Sequence, residues 1–329
     1  MKKELINTIE QINGRRILVI GDMVADIYLD GIISRISREA PVLVLEQAAE
    51  RIVAGGAANV VNNVATLGGQ VFAVGVLGLD SAAKGLKAVL EKNGVHTEGL
   101  LCDEKRPTIS KTRIIAGGRA TVSQQIVRID KESKEPLAPA FEAELAACIR
   151  QLLPKMDGIV LSDYGSGTIT EPIKKEILAA CHQRGIPSIV DSRYDIRSFA
   201  GIGYVKQNDA ELAAAVGRKL TTEAELCDAG QELLRDMEAE GVLVTRGEKG
   251  MTLFEKSGAI HNIPVSDKSE VYDVSGAGDT CVATVILALA AGIEPVRAAE
   301  LSNIASGIAV RKLGTATVSA EELHAAVLR

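Results

Sequence analysis

The chain has 329 residues, 34.7 kDa, with 47% hydrophobic and 24% charged residues, the composition of an ordinary globular protein large enough for a substantial core. Its net charge of -6 excludes nucleic acid or an anionic membrane as the main partner, since either needs a concentrated basic face. The five cysteines are scattered, odd in number and without C-x-x-C spacing, which argues against a disulfide framework or structural zinc.

The N-terminus, Met1-Lys2-Lys3-Glu4-Leu5-Ile6-Asn7, is charged and then amphipathic, without the apolar core and cleavage site of a signal peptide. No run of about 18 apolar residues follows, so the expectation is a cytoplasmic protein. Arg16-Ile17-Leu18-Val19-Ile20-Gly21-Asp22 then reads as a buried parallel strand delivering Asp22, and soon Asp26, to its carboxyl end. From 28 to 46 the pattern alternates, as in a separate, partly exposed sheet. Ala54-Gly55-Gly56-Ala57-Ala58-Asn59 opens a helix whose small residues allow close approach of a ligand or a neighbouring strand.

Val71 to Gly78 is another buried strand, and Ser81 to Lys92 a helix. Thr108 to Asp130 alternates again around a Gly117-Gly118 turn, and the two interruptions, about 28–46 and 101–130, are expected to form one small sheet over the main one. Strand and helix then alternate strictly. Strands at 158–163, 186–191, 204–208 and 241–245 are separated by helices such as Glu171 to Arg184. This predicts an α/β fold, a mostly parallel sheet with helices on both faces. Asp22, Asp163, Asp191, Asn208 and Thr245 all end strands, so on one parallel sheet they would share one edge and border a cleft.

Near the C-terminus, Asp273-Val274-Ser275-Gly276-Ala277-Gly278-Asp279-Thr280 runs into an apolar stretch that closes at Gly292. A glycine turn feeding a helix N-terminus aims N–H groups and the helix dipole at one point, an anion site. Asp279 would repel an anion there unless it has a chemical task, such as taking a proton from an attacking hydroxyl. The chain has no Walker A loop, and the Gly276-Gly278 pair lacks the third glycine of a dinucleotide fingerprint.

These residues resemble the ribokinase-like (PfkB) carbohydrate kinases: 273–280 is similar to their C-terminal signature and Gly55-Gly56-Ala57-Ala58-Asn59 to their N-terminal one. Further stretches resemble the branch that phosphorylates the anomeric hydroxyl of D-glycero-β-D-manno-heptose 7-phosphate. These are Gly21-Asp22 with Asp26, Arg35-Ile36-Ser37-Arg38-Glu39-Ala40-Pro41-Val42, Ser162-Asp163-Tyr164, Glu270-Val271-Tyr272-Asp273 and Lys312 to Ser319. Arg38 stands where that branch has proline, and Asp191-Ser192-Arg193 where it has Asp-Pro-Lys.

The resemblance implies a single ribokinase-like domain over 1–329 with a small β lid, ATP and Mg2+ as cofactors, and Asp279 as general base. The N–H groups of Gly276, Ala277 and Gly278 would form the anion hole. It places Asn208, Glu211, Thr245, Gly247, Ser275 and Asn303 around the nucleotide, and Asp22, Asp26, Gly55, Gly56, Asn59 and Asp163 around the sugar. Lys111 is the favoured partner of the distal phosphate, with Arg35, Arg38 or Arg193 as alternatives. Asp273 is a candidate position for a monovalent cation such as K+. A homodimer through the lid is expected. The chain ends at Arg329 without the H-x-G-H of a nucleotidyltransferase, which implies a stand-alone kinase. A kinase of another sugar, sugar phosphate or nucleoside is the alternative within the family. A non-catalytic sugar- or nucleotide-binding regulator is the alternative outside it.

Overall fold

The polar strand ends expected along one edge meet there because seven strands run parallel in close register. The computed structural model describes residues 2–117, 123–266 and 271–328. In chain order, α1 (Lys2–Ile12) leads to β1 (Arg16–Gly21), β2 (Met23–Ile36), β3 (Leu43–Gly56), α2 (Ala57–Thr66), β4 (Gln70–Leu77), α3 (Ser81–Lys92), β5 (His96–Cys102), β6 (Ile109–Gly117) and β7 (Gln124–Lys131). There follow α4 (Pro139–Leu152), β8 (Gly158–Asp163), α5 (Glu171–Arg184), β9 (Ser188–Ser192), β10 (Tyr204–Asn208), α6 (Asp209–Ala215) and α7 (Glu223–Asp236). The chain closes with β11 (Gly241–Thr245), β12 (Met251–Glu255), β13 (Ile260–Ile263), α8 (Ala277–Ala290), α9 (Pro295–Ala309) and α10 (Ala320–Leu328).

Among the described residues the main sheet has the order β13-β12-β11-β10-β9-β8-β1-β4-β5. Its strands are parallel from β5 to β11, and β12 and β13 close one edge as an antiparallel hairpin. That hairpin interrupts the expected strand-helix alternation. Glycines in the left-handed region, Gly250 (φ 83°) and Gly258 (φ 90°), make its reversals. Because both faces are covered, the strands are apolar throughout: Ile17 and Val19 face one core, Leu18 and Ile20 the other. The first core takes α1, α2, α3, α8, α9 and α10, and the second α4 to α7. Helix α8 lies buried on nearly every side from Asp279 to Leu289, hence its uniform hydrophobicity.

The second sheet has the order β3-β2-β6-β7. It differs in extent from the expected lid segments 28–46 and 101–130. Strand β2 starts at Met23 and β3 continues to Gly56, so Ala54, Gly55 and Gly56 end a strand and the helix begins only at Ala57. Residues 96–102 belong to the main sheet as β5. The reason is that β2 and β3 change surroundings along their length, buried at the Met23 and Gly56 ends and exposed beyond, so neither shows one periodicity. The turn partner Gly118 and Glu270 lie outside the described residues.

Gly21 pairs with Ser162 where β1 meets β8, and a Cβ on Gly21 would fall 2.0 Å from the Ser162 carbonyl oxygen. Backbone cannot yield there as a side chain can. Gly21→Ala is expected to cost about 3 kcal/mol, read as a lower denaturant midpoint; an unchanged midpoint would show that the two strands separate freely.

Candidate active site

Asp22, immediately after β1, is fully buried and receives three backbone N–H groups: Tyr164 (2.8 Å) and Ser166 (3.0 Å) on Oδ2, Thr168 (3.2 Å) on Oδ1. Burial pushes its carboxyl up, against the pull of these donors. Asp22, expected at the sugar, thus anchors the loop after β8. Asp163 anchors it too, accepting from Ser192 Oγ at 2.7 Å and the Gly165 N–H at 3.0 Å.

That loop carries Tyr164 toward Asp279, at the third position of α8. The Tyr164 hydroxyl donates to Asp279 Oδ1 (3.0 Å) and Asn59 Nδ2 to Oδ2 (2.7 Å). Asn59 comes from the first turn of α2 and also accepts from Asn63, so its amide is occupied at both ends, where a sugar hydroxyl was expected. Both glycines of the turn are required by neighbours. A Cβ on Gly276 (φ 81°) would lie 2.6 Å from Asn59 Nδ2, and one on Gly278 would lie 2.9 Å from Lys206 Nζ. Gly276 caps α8 without a side-chain bond. The Ala277 N–H turns back to the Val274 carbonyl at 3.3 Å, whereas the N–H groups of Gly276, Gly278 and Asp279 have no backbone acceptor among the described residues.

Lys206 rises from inside β10. Its ammonium bonds Asp191 Oδ2 at 2.8 Å and stands 4.0 Å from Glu211 Oε2. Burial alone would favour its neutral form, but Asp191 and Glu211 hold the ammonium above its ordinary pKa. Burial is also the main cause that pushes the Asp279 carboxyl up to about 6; Asn59 opposes it, Asp191 adds to it, and Lys206 and Tyr164 oppose it. Burial and then Asp279 raise the Tyr164 phenol well above its usual value, so it stays a donor. Cys281, two residues beyond Asp279, is fully buried with its thiol against Ser302, and burial pushes that thiol up to about 11.

A cleft of about 980 Å³ opens from this point. Gly276, Ala277, Gly278 and Asp279 line it, as do all six residues expected around the nucleotide: Asn208, Glu211, Thr245, Gly247, Ser275 and Asn303. Three of these have internal duties. Asn208 and Glu211 form a reciprocal capping box at the start of α6, and Asn303 Nδ2 donates to the Pro264 carbonyl at 2.6 Å. Asp273 accepts from the N–H groups of Ser275 and Gly314, 2.9 Å each. Burial pushes its carboxyl up, but these donors bring it below the usual range. Its oxygens thus hold the 271–275 segment to the 310–314 segment, and each accepts one N–H, which leaves a lone pair on each.

Asp26, Gly55, Gly56 and Lys111 lie outside the cleft lining, at the base of the second sheet. Asp26 is buried and accepts from Arg113 Nη1 at 2.6 Å, while a Cβ on Gly55 would strike the Asp26 carboxylate. Lys111 reaches over the Tyr164 ring, 5.7 Å from its centroid, and Arg193 over the same ring at 4.5 Å. Arg35 and Arg38 are exposed. The sequence expectations did not assign Tyr164, Lys206 or Arg113. A lysine within the apolar strand Tyr204-Val205-Lys206 was a visible signal, because a buried ammonium needs a carboxylate.

A glycine turn, a helix N-terminus and a buried carboxylate at the edge of such a sheet define the ribokinase-like class of α/β phosphotransferases. The pattern of the pfkB family carbohydrate kinases matches residues 15–323, and the chain belongs to that family. It is 40% identical over 322 residues to the bifunctional protein HldE of Syntrophotalea carbinolica, covering 98% of this chain and 64% of that one. It is 42% identical over 315 residues to the HldE of Azorhizobium caulinodans, covering 95% and 64%. The chain thus spans just under two thirds of these relatives. Among solved structures, Escherichia coli phosphofructokinase-2 in complex with potassium superposes with a TM-score of 0.75 at 20% identity, over 96% of this chain and 100% of that one. Arabidopsis thaliana ribokinase complexed with ribose and ATP gives 0.72 at 18%, over 96% and 99%. Among the described residues no helix is long and apolar enough to cross a membrane.

Two effects are expected of Asp279→Asn. Turnover falls at least ~10²-fold with nucleotide affinity unchanged, the scale of a lost general base. Stability rises above pH 6: a carboxyl raised from 3.8 to about 6 binds protons more tightly folded than unfolded, so its ionisation costs stability increasingly between those values and fully above them. The gain is about 3 kcal/mol at pH 8, read in denaturant unfolding beside the wild type.

Proposed function

We propose that this chain is an ATP-dependent kinase that phosphorylates the anomeric hydroxyl of D-glycero-β-D-manno-heptose 7-phosphate to the 1,7-bisphosphate. The observation that carries the phosphotransfer reading is Asp279, a buried carboxylate beside open N–H groups at the head of a cleft of about 980 Å³. The heptose assignment rests on the likeness of Arg35 to Val42, Ser162-Asp163-Tyr164 and Lys312 to Ser319 to that branch of the family. Asp279 takes the proton of the attacking sugar hydroxyl. The first-turn N–H groups of α8 and the Lys206 ammonium receive the charge that develops on the transferring phosphoryl group.

The donors in the cleft fit ATP with Mg2+. Asp191 Oδ1 is buried without a hydrogen-bond partner among the described residues, and Glu211 lines the same cavity, so hard oxygen ligands are at hand. Magnesium supplies charge neutralisation between the phosphates. Asp279 acts only when ionised, so the rate falls as the pH drops through about 6.

The second sheet is the proposed lid. Lys111 and Arg193 both approach the Tyr164 ring, and neither makes an ion pair among the described residues, which suits a dianionic sugar phosphate. Exposed Ile36, Val42, Val127 and Ile129 on the lid strands or their connection support a homodimer through the lid. A monomer in sedimentation at assay concentration overturns that part.

The deciding experiment compares kcat/KM for heptose 7-phosphate, fructose 1-phosphate, ribose and nucleosides. No preference for the heptose phosphate favours another kinase of the family, and no turnover of any substrate favours the binding regulator. Lys111→Ala is expected to raise KM for the sugar phosphate about tenfold or more without changing that for ATP.

A further inference from the structure

We propose that Tyr164 is the positioning residue of the catalytic carboxylate, its ring seated beneath Arg193 and its hydroxyl fixing Asp279 Oδ1 while Asn59 fixes Oδ2. This rests on the kinase reading of the site and adds a residue to it. A carboxylate in the first turn of a helix can fold back and cap the helix's own N–H groups. Here two donors from outside α8, at 3.0 and 2.7 Å, take one oxygen each and hold the carboxylate away from them. The first-turn N–H groups stay open to a phosphoryl group, and each carboxylate oxygen keeps a lone pair for a sugar hydroxyl.

Tyr164 is itself fixed at both ends. Its backbone N–H is held by buried Asp22 at 2.8 Å, and its ring lies 4.5 Å from the Arg193 guanidinium carbon. Since Lys111 approaches the same ring, a substrate anion drawn to these cations would lie against the residue that aims the base. The charged and titratable groups around Asp279 are Tyr164 from the loop after β8, Asp191 at the end of β9, Arg193 just beyond it and Lys206 of β10, with Glu211 of α6 behind Lys206. Helix α2 contributes only the neutral Asn59.

Tyr164→Phe removes a single oxygen and keeps the ring. It is expected to lower kcat about tenfold, leave both KM values within about twofold, and move the acid limb of the kcat profile up by about one pH unit, since one donor to the carboxylate is lost. Tyr164→Leu, which also removes the seat of Arg193, is expected to raise KM for the sugar phosphate in addition. A carbon-13 NMR titration of the Asp279 carboxyl, assigned with Asp279→Asn, follows the same proton without turnover. Its midpoint is expected to rise by the same interval in Tyr164→Phe. If no sugar is phosphorylated by the wild type, the kinase reading falls and this titration alone decides the role of Tyr164. An unchanged titration, or an unchanged acid limb and kcat, overturns the proposal.

Discussion

The site depends on keeping a negative charge where the surroundings disfavour it. Asp279 is only 6% exposed, and Asp191 adds a like charge nearby. The charge is tolerated because Asn59 and Tyr164 bond it directly, Lys206 stands close, and the positive end of α8 begins beside it. Those four contributions come from α2, the loop after β8, β10 and α8. Parallel strands bring their carboxyl ends together, so one sheet edge collects all of them. Reactivity and stability therefore pull in opposite directions at this residue, a conflict expected at functional sites and not in cores.

The glycines of the turn owe their identity to the same requirement. Gly276 takes φ 81° and leaves room for the Asn59 amide, and Gly278 leaves room for the Lys206 ammonium. A side chain at either position would displace one of the groups that make the charge tolerable.

Much of this was legible in the chain. The glycine turn and the long apolar run of α8 identified both the anion site and its carboxylate, since local geometry and burial are written in consecutive residues. The polar strand ends were legible as a set, because a parallel sheet aligns them. What stayed hidden depends on pairing between distant segments. Lys206 meets Asp191 through the register of β9 with β10, and Tyr164 meets Asp279 through a loop that Asp22 ties down from another strand. Asp22 read as a ligand residue because polar groups at the ends of parallel strands border a cleft, and Asn59 through the family likeness alone; here Asp22 bonds backbone and Asn59 bonds Asp279. Asn208 shows a further ambiguity, since capping α6 and lining the cleft call for the same residue type at the same place.

Cys281 gives the catalytic helix an internal reporter. Its sulfur is sealed beneath the first turn of α8, and its raised pKa keeps it in the unreactive thiol form at neutral pH. A thiol reagent can reach it only when that turn lifts from Ser302 and the sheet, whereas Cys102 is exposed and reacts without any opening. Cys181 is buried too, so it is in a Cys181→Ala background that the slow phase of alkylation measures how often the end of α8 that carries the base breathes, a motion on a timescale that turnover assays do not register.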